Sequence, residues 1–394
     1  MIYLDNAATT LAKPDSVARA MTAALTGQGS SGRSAHPAAL AASRSVFRTR
    51  VTLAALLGVS DPARICFSAN ITEALNLALN GSLQPGAHVI STDWEHNSVL
   101  RPLYRLREQG VALDFVPADL RGRLDASAWE RLLRPETRAV VCTQASNVTG
   151  DQMDLAAVAA FCHRHGLRLI VDGAQGAGLL PVDLEGQGWP DIYCFTGHKA
   201  LYGPQGTGGL AIQKGVDIKP WNVGGSGVDS FNEQQPQDYP VRLEAGTLNG
   251  PGLAGLAAGA RYVTEQTPAR LLGQASALAQ LFYRQLSPVP ALRFYGDFSC
   301  WPRVPVLAMN IAGFDSGLVA DLLADRYGIA IRSGIHCAPR LHRALGTASQ
   351  GALRFSWSSF NTEEETRQAV RAVRELAADL TGQPAGGFPG SGGV

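Results

Sequence analysis

The sequence predicts an α/β protein, with a large domain on a mostly parallel seven-stranded sheet and a smaller α+β domain after it. Two observations carry this. Between about residues 63 and 213, short apolar runs alternate with stretches of helical period, the pattern of β–α–β units whose sheet is covered on both faces. After about residue 214 the texture changes to a loop rich in Gly, Pro, Gln and Asn, and then to a second mixed unit. The expected division is a large domain over 14–260, a small domain over 261–381 joined by 1–13, and a structureless tail over 382–394.

The expected strands are, in order, Ile65–Phe67, Val89–Ser91, Leu113–Val116, Ala139–Thr143, Leu167–Asp172, Ile192–Phe195 and Gly209–Ile212. Helical periodicity lies between several of them, at Thr72–Gly81, Ser98–Gly110 and Asp154–His165. Asn70 before Thr72, with Glu73 three residues on, resembles a capping box directly after a strand. Further helices are expected at 252–266 and 268–286. The second unit opens near Val304–Asn310 and closes on a charged helix from Thr362 to about Leu380. The Gly- and Pro-rich end, GQPAGGFPGSGGV, has nothing with which to bury a core.

Composition excludes several classes. A net charge of +1 gives no field toward nucleic acid or an anionic membrane. Charged residues make up 17%, below the roughly 25% usual for soluble proteins, which suggests surface hidden between subunits. The N-terminus has no basic and apolar leader, and no apolar run approaches a membrane span. The six cysteines show no framework spacing, and Cys66, Cys142 and Cys194 sit in apolar runs. The expectation is a cytoplasmic protein that contacts neither nucleic acid nor membrane.

Of the 34 basic side chains only Lys13, Lys199, Lys214 and Lys219 are lysines. Lys199 ends an apolar run, in Thr196-Gly197-His198-Lys199. Burial there would lower its pKa, and an amine can attack a carbonyl where a guanidinium cannot. A salt-bridged or snorkelling lysine is the alternative. Asp172 closes the strand before it. Such an aspartate can simply cap a turn, or it can face a ligand cation where the sheet opens. The start of the helix at Thr72 can be merely well capped, or its free N–H groups and the Thr72 hydroxyl can hold a phosphate. Gly203–Gly209 leads into a strand rather than a helix, so it is not a dinucleotide loop, and is expected to let the backbone turn beside a flat ligand. Amine, buried acid and anion-binding helix start together describe a site for pyridoxal 5′-phosphate.

With these motifs the chain resembles a fold-type I, class V pyridoxal-phosphate enzyme of the cysteine desulfurase/selenocysteine lyase family. The resemblance runs from Tyr3-Leu4-Asp5-Asn6-Ala7-Ala8 to Phe360-Asn361-Thr362-Glu363. It implies that Lys199 carries the cofactor covalently, Asp172 pairs with the ring nitrogen and Gln175 bonds the phenolic oxygen. His96 would stack on the ring and act in catalysis. Thr72 and His198 would hold the phosphate, with Ile71 and Thr196 beside them. Gly246 and Thr247 would complete that cup from the other subunit of a homodimer. Asn147, Arg332 and Arg354 would serve the substrate, Arg354 by gripping its carboxylate. Many relatives carry a hydroxyl residue where this chain has Ile71, so one phosphate contact is missing or replaced.

Cys337, in Arg332-Ser333-Gly334-Ile335-His336-Cys337-Ala338, admits three readings: a structural cysteine, a metal ligand with His336 and His342, or a nucleophile. One thiolate and no closed tetrahedral set speak against metal. Cys162-His163-Arg164-His165 looks metal-like but falls in a helix. By resemblance Cys337 is the catalytic cysteine, in a short loop like that of group II enzymes. Those relations imply conversion of L-cysteine to L-alanine, with sulfur held as a persulfide on Cys337 and passed to an acceptor protein. Selenocysteine is the narrower alternative substrate, and another class V reaction (an aminotransferase or C–S lyase) the broader alternative.

Overall fold

The computed structural model describes residues 1–32, 34–186 and 189–382. A short β1 (Ile2–Tyr3) precedes two helices, α1 (Asp15–Gly27) and α2 (Pro37–Leu57). Strand and helix then alternate through β2 (Ile65–Ser68), α3 (Ile71–Ser82), β3 (His88–Thr92), α4 (Asn97–Glu108), β4 (Ala112–Val116) and α5 (Ala128–Leu132). The series ends with β5 (Thr137–Thr143), α6 (Leu155–Arg164), β6 (Arg168–Asp172), β7 (Ile192–Thr196) and β8 (Gly208–Ile212). All seven expected strands are present.

They form one seven-stranded sheet in the order β2-β8-β7-β6-β5-β3-β4. β4, β3, β5, β6 and β7 pair in parallel, and only β8 runs against its neighbours. Side chains alternate across the sheet, as the twofold strand period requires. Val89, Val141, Ile170 and Ile192 pack with Leu75 of α3 and Leu103 of α4. Ile90, Val140, Leu169, Val171 and Tyr193 pack on the other face with Leu53 of α2, Phe161 of α6 and Leu256 of α7 (Gly250–Gln266). Burial on both faces is why the strands read as continuous apolar runs.

The second half continues with α8 (Pro268–Leu286), β9 (Leu292–Tyr295), β10 (Val306–Ile311), α9 (Ser316–Tyr327), β11 (Ile329–Ala330), α10 (Pro339–Ala344), β12 (Leu353–Ser356) and α11 (Glu363–Thr381). An antiparallel sheet, β12-β10-β9, is covered by α8 and α11. Phe282 packs its ring 4.7 Å from Phe355 and 5.2 Å from Trp357. β1 pairs with β11, and Leu4 lies in this core. α11 starts with a capping box, Thr362 and Glu365 each satisfying the other's backbone N–H. Beyond Gly382 the expected tail lies outside the described residues. Among the described residues no helix is long and apolar enough to cross a membrane.

One buried ion pair anchors the long loop to the sheet edge. Arg50 on α2 meets Glu244 with a two-pronged contact at 2.7 and 2.5 Å, and the Phe67 N–H donates to the same carboxylate at 2.6 Å. The guanidinium also lies 4.4 Å over the Phe67 ring. Replacing Glu244 by alanine strands a buried guanidinium and is expected to cost about 3–5 kcal/mol of stability, measurable by urea unfolding. A loss below 1 kcal/mol would contradict this assignment.

Candidate active site

β5, β6 and β7 are parallel neighbours and end together at Thr143, Asp172 and Thr196. Ligands in open α/β sheets bind beyond such carboxyl ends. A cavity of about 210 Å³ opens there. Its wall contains Ile71, Thr72, His96, Asn147, Asp172, Gln175, Thr196, His198, Lys199, Arg332 and Arg354, so residues spread over nearly 300 positions converge. A larger, mostly apolar hollow beside Trp129 and Phe161 is lined by no lysine and no histidine.

Lys199 stands in the turn after β7. Burial lowers its pKa to about 8, helped by the positive charge of Arg354 and opposed by Asp172. Asp172 is buried, with one oxygen accepting the Ala174 N–H at 2.8 Å. Burial pushes its carboxyl up, while that hydrogen bond and the Lys199 charge draw it back. The chain leaves Asp172 over the face of Tyr193, and a Cβ on Gly173 would come within 2.2 Å of that ring, so only glycine fits there. Behind the site, Glu95 accepts from the Thr92 hydroxyl at 2.5 Å and the Thr143 N–H at 3.1 Å, tying the end of β3 to β5. Burial raises its carboxyl to about 8.

His96 is the N-cap of α4, its Nδ1 accepting the Ser98 N–H at 3.0 Å. The capping role fixes the ring, and burial with nearby positive charge lowers its pKa to about 4, so the imidazole is neutral. At the start of α3, Asn70 Oδ1 accepts the Glu73 N–H at 3.1 Å. Glu73 reaches back to the Ala69 N–H at 2.7 Å, one residue before the position a capping box uses. Thr196 Oγ1 and His198 Nδ1 are buried without a hydrogen-bond partner among the described residues. Buried polar groups are rarely left unpaired, so two such groups facing one cavity mark where a ligand's polar atoms belong. His198 is held neutral, at about 4, by burial and by Lys199 and Lys13.

Arg354 on β12 is buried, donating to Asn147 O at 3.1 Å and Asp5 Oδ1 at 3.0 Å. Its Nε has no hydrogen-bond partner among the described residues. Gln175 donates to Ala7 O at 3.0 Å, which leaves its amide oxygen for other work. Asn147 spends its amide N–H on His336 O at 2.8 Å, and the Asn97 N–H bonds Cys337 O at 2.7 Å. These two bonds hold consecutive left-handed residues, His336 at φ 51° and Cys337 at φ 57°. Non-glycine residues persist in that region only where their surroundings enforce it, commonly at functional sites. His336 lines the cavity; Cys337 is the next residue, part exposed and outside the lining itself. Arg340, bonded to Asp93 at 2.7 Å and lying 3.8 Å over Phe115, fixes the helix that follows.

Gly246 and Thr247 are exposed and lie outside the cavity of their own chain. The Gly203–Gly209 run differs from expectation. Its glycines serve packing: a Cβ on Gly209 would approach Cys66 O at 2.3 Å, one on Gly208 the Asn70 backbone at 2.8 Å, and one on Gly203 Leu256 at 3.0 Å. None of these glycines lines the cavity. In the 162–165 tract Cys162 is buried in the core and His165 packs 4.9 Å from Phe161. Among the described residues no three His, Cys, Asp or Glu side chains form a group that could hold a metal ion. Ser98, Thr143 and His336 also line the cavity, although the motifs do not mark them as site residues. For Ser98 and Thr143 the sequence signal is only a hydroxyl at a helix start and at a strand end.

The chain belongs to the class-V aminotransferase family, whose model matches residues 2–368. That family is pyridoxal-phosphate-dependent. Within it, the cysteine desulfurase CsdA of Escherichia coli is 34% identical over 382 residues, which are 94% of this chain and 93% of that one. A probable cysteine desulfurase of Mycolicibacterium paratuberculosis is 32% identical over 387 residues, and the chain spans 55% of that longer protein. The apo structure of a cysteine desulfurase from Thermococcus onnurineus NA1 superposes with a TM-score of 0.89 at 30% identity, covering 96% of this chain and 95% of that one.

Proposed function

We propose that this chain is a pyridoxal-phosphate-dependent cysteine desulfurase that turns L-cysteine into L-alanine and leaves the sulfur on Cys337. The observation that carries the reading is one cavity holding a lysine of lowered pKa, a buried aspartate and two buried polar atoms without a partner among the described residues, bordered by the strained His336–Cys337 pair. The residues fit the cofactor: Lys199 offers the amine for its aldehyde, Asp172 the acid for its ring nitrogen, and Thr72, Thr196 and His198 the donors for its phosphate. His96 would cover the ring, Gln175 would meet its phenolic oxygen, and Gly246 and Thr247 would close the phosphate end from the second subunit of a homodimer.

Bound pyridoxal phosphate supplies an electron sink for the carbanion at the substrate's Cα. Arg354, with Arg332 at the mouth, binds the substrate carboxylate, and Asn147 holds the cysteine loop against the cavity. Lys199 takes the Cα proton and returns a proton during turnover. Neutral His96 is placed to pass protons at the substrate. The Cys337 thiolate attacks the substrate sulfur: an S–S bond forms, the C–S bond breaks, and its electron pair goes to Cβ, which takes a proton to become the alanine methyl. L-cysteine and the Cys337 thiol thus give L-alanine and a Cys337 persulfide, with no outside oxidant. The short loop cannot carry sulfur far, so the persulfide passes to an acceptor protein, in the cytoplasm. A preference for selenocysteine would show in a direct comparison of the two substrates.

The test is to load the purified chain with pyridoxal phosphate and supply L-cysteine with a thiol reductant. Alanine and sulfide are expected in equal amounts; a loaded chain that makes neither overturns the reading. The lowered pKa of Lys199 adds a pH prediction. Only the free amine attacks the cofactor's aldehyde, so capture of the cofactor by the apo chain is expected to speed up roughly tenfold per pH unit below about 8 and to level off above it. Stopped-flow absorbance reads this, and a rate that keeps rising to pH 10 would mean an unperturbed lysine.

A further inference from the structure

Two helices start at this cavity. The hydroxyls at the second position of each, Thr72 on α3 and Ser98 on α4, lie 2.8 Å apart. The first N–H groups of a helix have no intrahelical acceptor, so the start of α3 presents free donors here. Ile71 adds only its peptide N–H, because its side chain is 8% exposed and packs with Leu75, Val99 and Leu103. Ser98 is 7% exposed, and its Oγ lies 2.9 Å from His96 Nδ1, the nitrogen that already accepts the Ser98 N–H. A nitrogen accepting an N–H carries no proton, so the Ser98 O–H is free to donate to it, and the Thr72 O–H then donates to Ser98. Thr196 Oγ1, in a residue only 2% exposed, is an unpartnered donor in the same wall.

We infer that Ser98 is the second hydroxyl of the phosphate subsite, at a place where Ile71 offers none, and that it ties that subsite to the imidazole over the ring. With a phosphate in place the Thr72 and Ser98 protons turn toward it. His96 keeps its orientation because the Ser98 N–H still holds Nδ1. This inference rests on the reading that the cavity takes pyridoxal phosphate.

The experiment titrates three apo proteins, the wild type, Ser98→Ala and Ser98→Thr, with pyridoxal phosphate and with pyridoxal, which lacks the phosphate. Absorbance and protein fluorescence report binding. Ser98→Ala is expected to bind pyridoxal phosphate about tenfold more weakly while its affinity for pyridoxal stays within about twofold, and Ser98→Thr is expected to regain the wild-type affinity. Equal weakening toward both ligands, no weakening toward either, or a threonine variant as weak as the alanine one would each overturn the role of Ser98. A wild type that binds no pyridoxal phosphate would instead take down the functional reading beneath it.

Discussion

Replacing Lys199 by alanine is expected to remove the visible band of bound cofactor and to lower alanine formation by ~10⁴-fold. Two losses combine: the amine that anchors the cofactor and the base that takes the Cα proton. Lys199→Arg separates amine from charge. Arginine keeps a cation beside Asp172 but cannot deprotonate, so it is expected to be as inactive as alanine. Absorbance and an alanine assay read both variants, and an arginine variant with more than about a tenth of wild-type activity would mean that Lys199 serves only as a charge.

Cys337→Ala is expected to act on the other half of the reaction. No cofactor contact is assigned to this residue, and its side chain lies outside the cavity lining, so the absorption band should persist. Alanine formation should fall by ~10³-fold or more, because no thiolate remains to take the sulfur. Alanine production that survives in this variant would contradict the role of Cys337 as sulfur acceptor, whereas pyruvate and sulfide in place of alanine would point to another class V reaction, such as C–S lysis, that needs Lys199 but no nucleophilic cysteine.

The large sheet was legible because its central strands are buried on both faces and flanked by turns, so each appears as a short apolar run. The apolar run of β5 begins at Ala139 although the strand starts at Thr137, since that threonine spends its hydroxyl on buried His88 at 2.8 Å and counts as polar in the sequence. α1 and α2 are hard to see in the sequence: their Ala, Ser, Thr and Arg content blurs the buried stripe, Val17 and Ala24 in α1 and Ala39, Ala42, Val46 and Leu53 in α2. The two-residue β1 and β11 are too short for any local signal and exist only through their mutual pairing.

The site divides along the same line. Asp172, Thr196 and Lys199 stood out because charge and hydroxyl at the end of an apolar strand are chemically conspicuous. Their meeting with Arg354, Arg332 and His336 is tertiary, and the motif resemblance, not periodicity, anticipated part of it. Ser98 carried no such mark. A serine near a helix start is commonplace, and its contact with Thr72 spans 26 residues. The glycines of 203–209 misled for a related reason: glycine signals close approach, but what approaches here is protein backbone.

The most direct test gives the cofactor-loaded chain an equimolar amount of L-cysteine without reductant and maps the masses of its cysteine peptides. Four of the cysteines, Cys66, Cys142, Cys162 and Cys194, are buried, leaving exposed Cys300 and part-exposed Cys337 as the accessible thiols. The account predicts that the Cys337 peptide gains one sulfur atom in proportion to the alanine formed and that Cys300 gains none. Alanine formed while Cys337 stays unmodified, or sulfur found on Cys300 instead, would contradict it.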